Sequence, residues 1–270
     1  MSFPVSNATV PVVGCQLWRS LLFIHWPMPA PELRRLVPRQ LELDLYDGQA
    51  YVSLIPFMVA ESRPRGVPRA LAMRFLETNL RTYVRAADGE PGIYFFSLDA
   101  SSWLAASAAR LLYGLPYFES LMSMRAEGTR TEYASRRHGA PDAQLDVDWV
   151  LGAPVGSAAV GSLDHFLIER YSLYVRRWGV IYRARVRHRP YPLHRVTVEQ
   201  LSETLLKAAG LPAPTAPPLY HYSPGVDVEI FWLERVRPRE PHQVSAAMVN
   251  RRSPARRRAT AVERRISALR

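Results

Sequence analysis

From Leu21 to Leu233 the chain is a succession of short apolar or alternating runs, rich in β-branched and aromatic residues and cut at short intervals by Pro and Gly. Such punctuated runs signal strands. They cover Leu21–His25, Leu41–Tyr46, Ala50–Val59, Leu76–Arg85, Gly92–Leu98, Phe118–Ala126, Thr129–Ser135, Leu145–Val150, Leu173–Trp178, Val180–Val186 and Val226–Leu233. Tyr46-Asp47-Gly48-Gln49, Asp88-Gly89 and Arg177-Trp178-Gly179 supply tight turns between them, because Gly and Asp tolerate the positive φ that hairpin corners need.

Helical segments are few. Pro31–Val37 opens on a proline suited to a first turn. Ser101–Tyr113 begins with a capping Ser and stops at Gly114, and Ser162–Tyr171 has the same start. Val198–Ala209 carries the strongest local pattern, with Thr197 and Gln200 as a capping box and Gly210 and Pro212 as a stop. Strands do not alternate with helices, so a doubly wound parallel sheet is not expected. A mainly-β barrel or α+β fold is. Pro-rich Leu211–Leu219 reads as an extended connection inside the domain.

Charge separates the chain into parts. The net charge is +11, but residues 251–270 alone hold eight Arg against one Glu. The body is therefore only mildly basic. We expect residues 1–19 to form an N-terminal extension, 20–236 one domain, and 237–270 an Arg-rich tail. No apolar run approaches the ~18–20 residues of a membrane span. The single Cys15 permits no internal disulfide and no cysteine-based zinc site. With no secretory-type leader in MSFPVSNATVPVVGC, a cytoplasmic protein is the simplest reading. No P-loop, dinucleotide fingerprint, H-E-x-x-H or G-x-S-x-G occurs, so neither a cofactor nor a metal is expected. Oligomeric state is not legible.

Six segments carry a resemblance: residues 25–57, NLRTYVR (79–85), PGIYFFSLDA (91–100), ARLLYGLPYF (109–118), IERYSLY (168–174) and HYSPGVDVEIF (221–231). In order and spacing they resemble the YqjF-like family (domain of unknown function 2071) of the acetoacetate-decarboxylase-like superfamily. The resemblance implies a closed, mostly antiparallel β-barrel with a few peripheral helices and a small-molecule pocket inside. The named decarboxylase uses a lysine Schiff base, the nucleophile's pKa being lowered by a neighbouring lysine, a case that general enzymology already describes. Here Tyr117 and Phe118 stand where that lysine pair belongs. The only lysine, Lys207, falls on the expected helix Val198–Ala209, on its solvated side. Arg cannot substitute, because a guanidinium stays protonated.

The remaining chemistry lies in LETNLRTYV. Period two puts Glu77, Asn79, Arg81 and Tyr83 on one strand face and Leu76, Leu80 and Val84 on the other. A wetted sheet face explains that pattern; so does a cavity lining, which the resemblance favours. On the second reading Leu80 and Val84 face packed outer helices. Glu77, Arg81 and Tyr117 are then the catalytic candidates: a pocket carboxylate, a bidentate clamp for an anion, and a weak acid or donor. His25, Asn79, Tyr83, Phe118 and Tyr222 are the ligand-binding candidates. His25 matches a stretch where the decarboxylase has a pocket arginine; a structural histidine fits equally. Tyr222, with His221, opens the last strand at the cavity mouth. Glu169 and Arg170 read as an ion pair bracing a helix against the barrel. Three functions follow: a lysine-independent acid/base enzyme on a small anionic or carbonyl substrate, a non-catalytic ligand binder, or a nucleic-acid-associated protein acting through its basic tail.

Overall fold

The structure is a computed structural model that describes residues 10–237. The Arg-rich tail, and any nucleic-acid contact through it, lies outside the described residues. Among them no helix is long and apolar enough to cross a membrane.

The fold is mostly β. Its strands are β1 (Val12–Met28), β2 (Glu42–Leu43), β3 (Ala50–Pro64), β4 (Met73–Arg85), β5 (Pro91–Ala100), β6 (Tyr117–Glu127), β7 (Arg130–Arg137), β8 (Gln144–Gly156), β9 (Ser172–Arg177), β10 (Val180–Arg187), β11 (Leu193–Glu203), β12 (Leu219–Phe231) and β13 (Glu234–Arg235). The helices are α1 (Ala30–Leu36), α2 (Trp103–Tyr113), α3 (Leu163–Ile168) and α4 (Leu205–Ala208).

Strand pairing closes two rings that share a wall. The wall is β12-β1-β3-β4-β5, antiparallel throughout. A first ring closes it through β9 and β10. A second closes it through β6, β7, β8 and β11. The division happens along β5: Ile93 and Tyr94 pair with β9, whereas Leu98–Ala100 pair with β6, both in parallel.

Because the wall is buried on both faces, its strands read as near-continuous apolar runs such as AYVSLIPF. Alternate residues serve different cores. Phe23, Ile55, Phe57 and Tyr83 face the first ring. Leu22, Ile24, Leu54 and Leu80 face the second, against Tyr133, Leu145 and Trp149.

The alternation changes phase in β5, where Phe95 and Leu98 face the same core although three apart, and in β1 and β12 together. Trp18 and Leu21 pack on the same core although they are three apart, and their partners Val226 and Ser223 stand opposite them. The switch falls at Ser20 (φ 54°) and Gly225 (φ 137°). A side chain at Gly225 would put its Cβ 2.1 Å from the Trp18 carbonyl, so glycine is required there.

The structure corrects several expectations. β1 begins at Val12, so residues 12–19 belong to the shared wall instead of an extension. Residues expected as helix Val198–Ala209 are largely strand: β11 runs to Glu203, and only Leu205–Ala208 is helical. Val196 and Val198 sit well in a strand, and pairing with β8 satisfies the backbone that the local capping box would have served. Leu41–Tyr46 shrinks to the two residues of β2. Leu80 and Val84 do face away from the first ring, but Leu80 meets chiefly strands of the second ring, and Val84 a small cluster with Leu41, Tyr174 and Ile181.

Candidate functional site

Inside the first ring lies a cavity of about 140 Å³. Sites for drug-sized ligands are ~300–1,000 Å³, so this one suits a small molecule. Most of its lining is apolar, including Phe23, Phe57 and Phe95. Polar and charged side chains interrupt it, among them Glu77, Asn79 and Arg81 on β4, Tyr117 at the start of β6, Gln16 on β1 and Ser172 on β9.

Arg81 is the unusual member. Its side chain is 7% exposed. Among the described residues it forms no ion pair; one Nη donates to the carbonyl of Leu167 at 3.2 Å, and its Nε has no partner. Leu167 lies in the last turn of α3, where carbonyls are left without intrahelical donors. A helix end thus holds the guanidinium in place of a carboxylate. Phe23 and Tyr83 add their ring faces, each 5.9 Å from the guanidinium carbon. Leaving a buried cation uncompensated is costly, which makes an anion in the cavity favourable.

Glu77 is buried, and removal from water raises its pKa from 4.5 to about 7. Hydrogen bonds from Tyr117 and Asn79 hold it from rising further, while the charge of Asp99 adds to the rise. The Tyr117 hydroxyl donates to Glu77 Oε2 at 2.9 Å. Burial and this carboxylate keep Tyr117 protonated, its pKa well above the usual tyrosine value. The pair therefore offers an acid/base that is half-ionised near neutrality and a permanent hydroxyl donor.

His25 and Tyr83 form a polar chain beside the cavity. The Tyr83 hydroxyl donates to Leu167 O at 2.7 Å, so its one proton is used there. Ser53, 2.5 Å away, must then donate to Tyr83 and accept from His25 Nδ1 at 2.7 Å. His25 is consequently the Nδ1–H tautomer. It is neutral, since burial, then His221, then Arg81 push its pKa well below 6.5. The histidine is structural on this geometry: it buttresses the hydroxyl that shares Leu167 O with Arg81.

Two candidates lie elsewhere. Phe118 follows Tyr117 on β6, so alternation turns it outward, where Arg137 stacks on it at 3.9 Å. Tyr222 packs in the second core near Trp149, because β12 changes face between it and Val226. Glu169 and Arg170 are not paired with each other. Arg170 bonds Asp44 at 2.7 Å and the Phe166 carbonyl, whereas Glu169 accepts from the Tyr191 amide and the Tyr171 hydroxyl. Lys207 is exposed on α4 and does not line the cavity. Sequence reasoning missed Trp18 and Tyr191, which also line it. Trp18 was hidden by the phase change at Ser20, and Tyr191 sits in an irregular loop with no period to read.

Comparison with known proteins agrees with this architecture. The model of the DUF2071 family, an uncharacterized conserved protein, matches residues 15–227. The chain is 41% identical over 235 residues to the uncharacterized protein YqjF of Bacillus subtilis (strain 168), covering 85% of this chain and 96% of that one. Among solved structures it resembles the enduracididine biosynthesis enzyme MppR complexed with pyruvate (TM-score 0.58, 12% identity, 88% of this chain and 98% of that one). It also resembles acetoacetate decarboxylase from Legionella pneumophila (TM-score 0.57, 12% identity, 88% and 92%). At such identities the likeness is one of fold.

Proposed function

The chain belongs to the DUF2071 family, and from that premise we propose that it holds a small organic anion in the first-ring cavity and acts on it by acid/base chemistry without a lysine. The observation that carries the reading is Arg81: a buried guanidinium, lining a small cavity, with no carboxylate partner among the described residues. A carboxylate ligand would supply the missing charge and accept from its free edge. Glu77 stands two positions further along the same face, with a pKa of about 7 that suits proton transfer at neutral pH. Tyr117 would donate to an oxygen that gains charge as the proton moves, or hold Glu77 in place. That a fold neighbour binds pyruvate is compatible with a ligand of this size and charge.

Titration calorimetry with propionate, pyruvate and acetoacetate tests the binding, with Arg81→Met as the control that loses it. Exchange of the ligand's α-protons with deuterated water, followed by NMR, tests the chemistry. Glu77→Gln should slow exchange by roughly 10²-fold or more, the usual contribution of a general acid/base. Binding with no exchange above background would instead favour a non-catalytic binder, the reading supported by the largely apolar lining.

A further inference from the structure

The cavity contains a second unsatisfied group, of opposite character to Arg81. Asn79 is 9% exposed, and its Oδ1 has no hydrogen-bond partner among the described residues. Asn79 lines the cavity, on the same strand face as Glu77 and Arg81. The buried, lined space near Asn79 thus presents an acceptor that calls for a donor, while Arg81 presents donors that call for an acceptor.

The two residues are adjacent on one strand face, about 7 Å apart along β4. From this juxtaposition we propose that the ligand is a small hydroxy carboxylate, its carboxylate on Arg81 and its hydroxyl donating to Asn79 Oδ1. An ammonium group would also donate, but it would share a cavity of about 140 Å³ with the Arg81 cation, so a neutral hydroxyl fits better. A cavity of about 150 Å³ accepts benzene, so a three- or four-carbon acid fits this volume. The inference rests on the anion-binding reading above and adds what that reading leaves open, the second functional group of the ligand. It also gives the Glu77–Tyr117 pair a target, since the hydroxyl would lie beside the acid/base.

A matched ligand series on the full-length protein tests it: lactate against pyruvate and propionate, and 3-hydroxybutyrate against acetoacetate and butyrate, by titration calorimetry at pH 7. The expected result is that each hydroxy acid binds at least about 10-fold more tightly than its oxo and unsubstituted counterparts, because an unpaired buried acceptor costs at least that much. In Asn79→Leu the preference of hydroxy acids over propionate and butyrate should disappear. Equal binding of hydroxy and oxo acids by the wild-type protein would overturn the inference and leave the anion-binding reading standing. So would a preference that survives in Asn79→Leu. Absence of binding by every carboxylate would overturn both. If Asn79→Leu does not fold, the wild-type series decides alone.

Discussion

Arg81 and Tyr83 bond the same atom, the carbonyl oxygen of Leu167, at 3.2 and 2.7 Å. A carbonyl carries only partial charge, so this arrangement positions the guanidinium without neutralising it. Arg81→Met should therefore abolish anion binding and at the same time stabilise the fold, since an apolar side chain of similar length removes a buried charge. We expect the melting temperature to rise by at least about 2 °C, corresponding to roughly 1 kcal/mol. A fall of that size would mean that Arg81 is a structural brace. Arg81→Lys should retain the fold and weaken binding at least about 10-fold, through loss of the planar fork.

Glu77 makes stability depend on pH. Its folded pKa of about 7 is above the unfolded 4.5, so its contribution is fully present below 4.5 and is lost as pH rises to about 7. The rise is equivalent to about 3 kcal/mol. His25, His188 and His221, whose pKa values burial lowers, act in the opposite sense and lose stability as pH falls below 6.5. The test is therefore a difference: urea denaturation of wild type and Glu77→Gln at pH 5, 6, 7 and 8. The variant should gain on wild type by about 2.5 kcal/mol across that range. Parallel curves would show that Glu77 titrates normally.

The buried pair beneath Phe118 is predicted to be structural. Arg137 grips Asp99 with two bonds of 2.8 Å, and Ser120 adds a third at 2.8 Å. Arg137→Ala would leave Asp99, which is fully buried, without its countercharge, at a cost of about 3–5 kcal/mol. Asp99→Asn should cost less and should lower the Glu77 pKa, because the Asp99 charge is one of the causes that raise it. Chemical denaturation measures the first effect; NMR titration of the Glu77 carboxyl carbon measures the second.

Trp178 occupies a hairpin corner at φ 48° with 86% of its surface exposed. A bulky residue there bears left-handed strain of about 1–2 kcal/mol and buries little in return. Trp178→Asn should raise stability by about 0.5–1 kcal/mol despite losing the stacking of Arg177 on the indole. A loss of stability would show that the stacking outweighs the strain.

Much of this was legible in the chain. Period two along LETNLRTYV identified Glu77, Asn79 and Arg81, because β4 is regular where it lines the cavity. Turn residues located the corners at Asp47-Gly48 and Trp178-Gly179, where φ is positive in the structure. What failed was non-local. The helical pattern of Val198–Ala209 yielded to pairing with β8, about fifty residues earlier in sequence. Tyr222 was misplaced because the phase of β12 is set by a distortion shared with β1, which no local run of residues records. The carboxylate partner of Arg170, Asp44, is 126 positions away and came only with the fold.

The wall shared by the two rings has a consequence for synthesis. Both rings are sealed by the same seam, β12 against β1, which joins residues 219–231 to residues 12–25. As the chain emerges from the ribosome, every other strand of either ring is available before that seam can form. Until then β1 presents an unpaired edge and both of its apolar faces, the condition in which nascent β-proteins associate wrongly. A single late strand thus completes the pocket and protects the chain in one event, so a premature stop before Leu219 should yield aggregate in place of a half-working protein.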